Sequence, residues 1–93
     1  MNADELRELL MTRLHAQRVD VEDESDQHRG HTGSLQGGHY RVTIVAAGFA
    51  SKSAMERHRM VYAALETEMG RTIHALALKT LAPGDFLDSN KRL

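Results

Sequence analysis

The chain has 93 residues, 41% hydrophobic and 27% charged, with a formal net charge of −1 and no cysteine. That supplies one core and no second one. It excludes a disulfide scaffold and any metal site built from the chain's own thiolates, and the balanced charge gives no general pull toward nucleic acid or an anionic membrane.

The longest apolar run, IVAAGFA, is far short of the roughly 20 residues of a membrane span. The opening MNADELRELL lacks the basic start and apolar stretch of a signal peptide, so a soluble cytoplasmic protein is expected. The first element is a helix, because Leu6, Leu9, Leu10 and Leu14 recur at helical spacing. Asn2 and Glu5 stand as a capping pair, and Arg13, His15 and Arg18 suit the negative end of the helix dipole. VDVEDES (19–25) then alternates, with Val19 and Val21 on one face of a half-buried strand.

Residues 26–38 are compositionally odd, being rich in glycine and histidine, and form the expected hairpin loop. HYRVTIVAA (39–47) follows as the strongest strand signal, broken by Gly48. SAMERHRMVYAALETEM (53–69) is expected as a second helix. Ser53 and Glu56 form a capping box, Gly70 sits at the C-terminal cap, and Met55, His58, Val61, Tyr62, Leu65 and Met69 make the apolar stripe. TIHALALKT (72–80) alternates with Leu76 and Leu78 on one face, Pro83 ends it, and residues 84–93 are a frayed tail.

Helix, strand, strand, helix, strand gives a single two-layer α+β domain, with two helices on one face of a three-stranded mixed sheet. The first two strands form an antiparallel hairpin. The third follows through a helix, so a right-handed crossover makes it parallel to the second. Parallel strands start at the same end, which is also the end where the hairpin loop turns. His74 is therefore expected beside His39 and beneath the loop that carries His28 and His31. Imidazole is a good ligand for zinc, copper, nickel or iron. The spacing of His28 and His31 alone is a weak metal signal, and from the residues alone a mobile polar turn with some histidines is the favoured reading.

VEDES followed by His28, GGHYRVTIV, RHRMVYAALETEM and IHALALKT together closely resemble the BolA family, from about Leu6 to Phe86. The resemblance implies a class II KH-like arrangement of α-β-β-α-β order. It also implies a partner, a monothiol glutaredoxin of the CGFS type, which shares a [2Fe–2S] cluster with the BolA-like chain. The glutaredoxin supplies its active-site cysteine and a bound glutathione. The BolA-like chain supplies the histidine of the third strand, here His74, and one residue of the hairpin loop. In one branch of the family that loop residue is cysteine and in the other histidine; without cysteine, this chain looks like the histidine branch. His28 fits the position best and His31 is the alternative. The isolated chain is expected to hold no cluster tightly and to dimerise weakly at most. Iron–sulfur trafficking or iron and redox regulation is the implied role.

Outside the resemblance, His39 suits a turn or a supporting role behind a ligand. His58 reads as a mostly buried histidine on the helix stripe, and Lys52, Arg57 and Arg59 as a solvated face. The competing function is DNA-binding transcriptional control through a KH-like fold, with Arg41, Thr43 and Lys79 as a modest basic strip on the open face of the sheet. GHTG (30–33) matches G-x-x-G, but it lies inside a hairpin rather than between two helices. No nucleophile elbow, P-loop or dinucleotide fingerprint occurs, so an enzyme is not expected.

Overall fold

The structure is a computed structural model that describes residues 1–25 and 38–85. Its first helix, α1 (Ala3–Leu14), starts where the Asn2 side chain accepts the Glu5 N–H at 2.8 Å. That contact satisfies one of the N–H groups a helix start leaves unpaired. Leu6 and Leu10 are fully buried, while Leu9 and Leu14 are half-buried at the edge of the same stripe. The helix ends at His15, whose left-handed backbone (φ 50) turns the chain toward the sheet. His15 is thus the helix cap.

Strand β1 (Arg18–Asp23) pairs antiparallel with β2 (Gly38–Val45), and β2 pairs parallel with β3 (Ile73–Leu81), in the order β1-β2-β3. Tyr40, Val42 and Ile44 of β2 alternate into the core, where they meet Val19, Leu6, Leu10, Val61 and Leu65. Arg41 and Thr43 take the opposite face, in register with Glu22 and Asp20 of β1 and with Ala77 and Lys79 of β3. Gly38, expected in the loop, is instead the first residue of β2. The strand expected to reach residue 25 stops at Asp23, where the Ser25 N–H bonds the Asp23 carboxylate at 2.9 Å and turns the chain.

After β2, a short 3₁₀ turn (Ala47–Phe49) drops Phe49 into the core with no exposure. Helix α2 (Ala54–Ala64) then begins with both halves of a capping box: Glu56 N–H to Ser53 Oγ at 3.1 Å and Ser53 N–H to Glu56 Oε1 at 2.9 Å. The helix is shorter than its sequence period suggests. Residues 65–72 continue as turns, and Gly70 uses its positive φ of 81 there instead of capping the helix.

The stripe is also rotated from the expected one. Burial centres on Val61 and Leu65, whereas Met55 is 64% and Tyr62 42% exposed. At about 100° per residue, Tyr62 and Met55 lie roughly 100° or more around the helix from Val61. The slot below Val61 goes to Arg57, which is no solvated charge. Its guanidinium donates to the carbonyls of Lys52 (3.0 Å) and Thr80 (3.1 Å) and to Asp85 Oδ2 (3.0 Å), and it lies 6.0 Å from the Phe49 ring centre. Asp85 also accepts the Ala82 N–H at 3.1 Å, which ties residue 85 to the end of the last strand; the rest of the expected tail lies outside the described residues. Arg13 ties α1 to the end of α2 and the segment after it, by bonds to the Ala64 carbonyl (2.8 Å) and Glu68 (2.7 Å).

Candidate histidine site

The parallel pairing of β2 with β3 puts the starts of both strands at one end of the sheet, as the crossover rule requires. The pairing is not regular there. Gly38 pairs with Ile73 and His39 with Ala75, so β3 contributes one extra residue, His74. Counting back by twos from Leu78 and Leu76 places His74 on the helix side. The extra residue cancels that parity, as a bulge does. His74 is exposed, and its ring centre lies 4.9 Å from that of His39, with a tilt of 42° between the planes. The two imidazoles expected to converge do so, on the face of the sheet away from the helices.

Backbone contacts hold His39 in place. Its N–H donates to Ser25 Oγ at 3.1 Å, and its carbonyl accepts the Glu24 N–H at 2.8 Å. Ser25 in turn donates to Asp23, which holds the Asp23 carboxyl below the usual carboxylate range. On the core side of the same strand start, burial pushes the Tyr40 hydroxyl above its ordinary value, with the nearby Asp23 and Glu5 carboxylates adding to the effect. That hydroxyl donates to the Met1 carbonyl at 3.1 Å. Gly38 leaves room for this ring: a Cβ there meets Tyr40 Cε2 at 2.6 Å.

His28 and His31 lie outside the described residues. Among the described residues, no group of three or more histidine or carboxylate side chains is placed to hold a metal ion. His39 and His74 are the two imidazoles that meet at this end of the sheet. His58 is half-buried on α2 rather than enclosed. Arg41 is exposed and bonds Glu24 Oε2 at 3.0 Å, and Lys79 is exposed on the same open face.

A family model for BolA-like proteins matches residues 10–85. The chain belongs to the BolA family. An uncharacterized protein in the cobS 5′ region of Sinorhizobium sp. is 39% identical over 79 residues, which cover 82% of this chain and 85% of that protein. Arabidopsis thaliana protein BOLA1, chloroplastic, is 35% identical over 88 residues, covering 89% of this chain. The BolA-like chain spans only 54% of that longer relative. The Escherichia coli DNA-binding transcriptional regulator BolA is 35% identical over 80 residues, covering 86% of this chain and 74% of its own. The crystal structure of a bol-like protein from Babesia bovis has the same fold, with a TM-score of 0.80 at 30% identity over 97% of this chain and 94% of its own. The α-β-β-α-β arrangement and the mixed sheet are those of the family. No described helix is long and apolar enough to cross a membrane.

Sequence reasoning missed Arg57 and Phe49, and it missed the register shift at His74. The first two were visible only as one charge among several and one aromatic after a glycine. Strand alternation alone gives no sign of an extra residue.

Proposed function

We propose that this BolA-like chain pairs with a monothiol CGFS glutaredoxin and shares a [2Fe–2S] cluster with it, His74 and one of His28 and His31 being its ligands. The reading makes the protein a carrier or sensor in iron–sulfur trafficking or iron and redox regulation, not a catalyst. The observation that carries it is the exposure of His74 on the open side of the sheet. An imidazole turned inward is closed to a partner, whereas this one is available to a cluster arriving on the glutaredoxin's cysteine and glutathione. Two neutral imidazoles in place of two thiolates leave a cluster less negative and raise its potential. A cluster held between two chains also has an exit route when they separate, which suits transfer.

The test is anaerobic reconstitution with a CGFS glutaredoxin and glutathione, followed by visible absorption and circular dichroism. The wild-type chain should convert the glutaredoxin homodimer spectrum into a distinct heterodimer spectrum. His74→Ala and one of His28→Ala and His31→Ala should abolish that conversion. A homodimer spectrum unchanged by the wild-type chain sinks the proposal.

The Escherichia coli relative, named a DNA-binding transcriptional regulator, favours a second reading, DNA binding through the open face. Lys79 and Thr43 lie in register there, with Arg41 on the same face. Against it, Arg41 is paired with Glu24, and Asp20 and Glu22 stand in register across β1. Salt-dependent gel shifts that weaken in Lys79→Ala would support it.

A further inference from the structure

The rotation of α2 turns outward two side chains that the helical period alone would bury, Met55 and Tyr62. Met55, Arg59 and Tyr62 follow one another at four- and three-residue spacing, which places them in one stripe on the outer face of the helix. Met55 is 64% exposed, against 37% for Met1, whereas Met11, Met60 and Met69 are half-buried against the core. Asp85 bonds Arg57, which lies about 160° around the helix from Met55, so the last described residue stands on the other side.

A thioether is oxidised where an oxidant can reach its sulfur. Arg59 Nη2 donates to Met55 Sδ at 3.4 Å. Thioether sulfur is a weak acceptor. A sulfoxide oxygen on the same atom is a far stronger one, and its bond to a guanidinium is charge-assisted. The helix start adds to this, because Met55 is the second residue of α2, where partial positive charge gathers and stabilises the oxygen end of an S–O dipole. The Glu56 carboxylate also acts on Arg59, but its Oε1 is held by the Ser53 N–H.

We propose that Met55 is a reversible oxidation site of the BolA-like chain, converted by hydroperoxides to a sulfoxide whose oxygen Arg59 binds. The thioether sulfur attacks the terminal peroxide oxygen. An S–O bond forms as the O–O bond breaks, and sulfur gives up two electrons. The transferred oxygen loses its proton to the departing one, which leaves as water, or as an alcohol from an alkyl hydroperoxide. Because the side chain lies outside the core, the fold tolerates the change, while the stripe it shares with Tyr62 turns from apolar to polar beside Arg59. Enzymes that return methionine sulfoxide to methionine reach it for the same reason.

The experiment treats the untagged full chain with graded hydrogen peroxide under native conditions and follows tryptic peptides by mass spectrometry. Residues 53–57 carry Met55 alone, residues 8–13 carry Met11, and residues 60–71 carry Met60 and Met69. Met55 should oxidise roughly fivefold faster than any of those three, and methionine sulfoxide reductases A and B together should restore it in the folded chain. Thermal midpoints of the reduced and singly oxidised chains should agree within about 4 °C. The Arg59 Nε–H resonance in nitrogen-15 spectra should shift on oxidation and stay in place when Met55→Leu is treated alike. Oxidation of Met60 or Met69 at the rate of Met55 overturns the proposal. So does a Met55 sulfoxide that resists both reductases or leaves the Arg59 resonance unmoved, and so does a shift that survives in Met55→Leu. None of these outcomes depends on the glutaredoxin reading, which can hold or fail separately.

Discussion

Gly38→Ala is the substitution whose effect follows most directly from the geometry. The added Cβ would stand 2.6 Å from Cε2 of Tyr40 and 2.7 Å from its Cζ and hydroxyl oxygen. Comfortable carbon contacts begin at about 3.5 Å. The Tyr40 ring is only 3% exposed, and its hydroxyl is tied to the Met1 carbonyl at 3.1 Å, so moving it aside gives up that contact and disturbs its packing. Relieving such an overlap by small shifts costs about 1–3 kcal/mol. Losing the hydroxyl contact adds about 1 kcal/mol. The stiffer unfolded chain returns roughly 0.4–1 kcal/mol.

The net expectation is a destabilisation of about 1–3 kcal/mol, at about 4–8 °C of Tm per kcal/mol for a domain of this size. Urea unfolding of wild type, Gly38→Ala, Tyr40→Val and the double variant measures it as a cycle. The cost of Gly38→Ala should largely disappear in the Tyr40→Val background. An equal cost in both backgrounds, or no cost in either, refutes the close-approach argument. Because His39 follows Gly38, the same shift should also loosen its contact with His74.

Arg57→Ala should cost about 2 kcal/mol, since it strips charge-assisted bonds from a side chain only 14% exposed, and Arg57→Lys should recover little because one ammonium cannot span three acceptors; thermal melts decide both. Ser53→Ala removes one half of the capping box and should cost about 1 kcal/mol, read as a shift in urea midpoint without a change in slope. Acidification should destabilise the fold, because Glu68 (held by Arg13), Glu56 (by the Ser53 N–H) and Asp85 (by the Ala82 N–H) all sit below the ordinary carboxylate range. With folded values lower than unfolded ones, their contribution is complete above roughly pH 5 and is lost as pH falls through the lowered folded values. Melts from pH 7 to 3 should fall less steeply in Glu68→Gln, and an identical slope counts against the Arg13 pairing.

Local signals in the sequence were reliable where neighbouring residues decide the structure. The Asn2 cap, the Ser53–Glu56 capping box and the alternation of Tyr40, Val42 and Ile44 all stand as expected. The parallel placement of β3 followed from chain order and crossover handedness, and it carried the meeting of His39 and His74 with it. What sequence did not show depends on tertiary fit. The α2 stripe turned because Arg57 competes for the slot beside Val61, which only the positions of Phe49, Thr80 and Asp85 reveal. The exposed face of His74 depends on a one-residue register shift, and no composition or period encodes that. Gly38 looked like one of several loop glycines, yet its lack of a side chain makes room for a ring two residues on.

The proposed role requires an imidazole of this chain to bind the cluster in the glutaredoxin complex. The most direct measurement is pulsed electron paramagnetic resonance of the reduced heterodimer, prepared with the BolA-like chain labelled with nitrogen-15 histidine and the glutaredoxin unlabelled. Histidine ligation predicts strong nitrogen-15 couplings to the cluster that lose a nitrogen in His74→Ala. A reduced cluster showing no nitrogen-15 coupling, or couplings indifferent to His74→Ala, contradicts it.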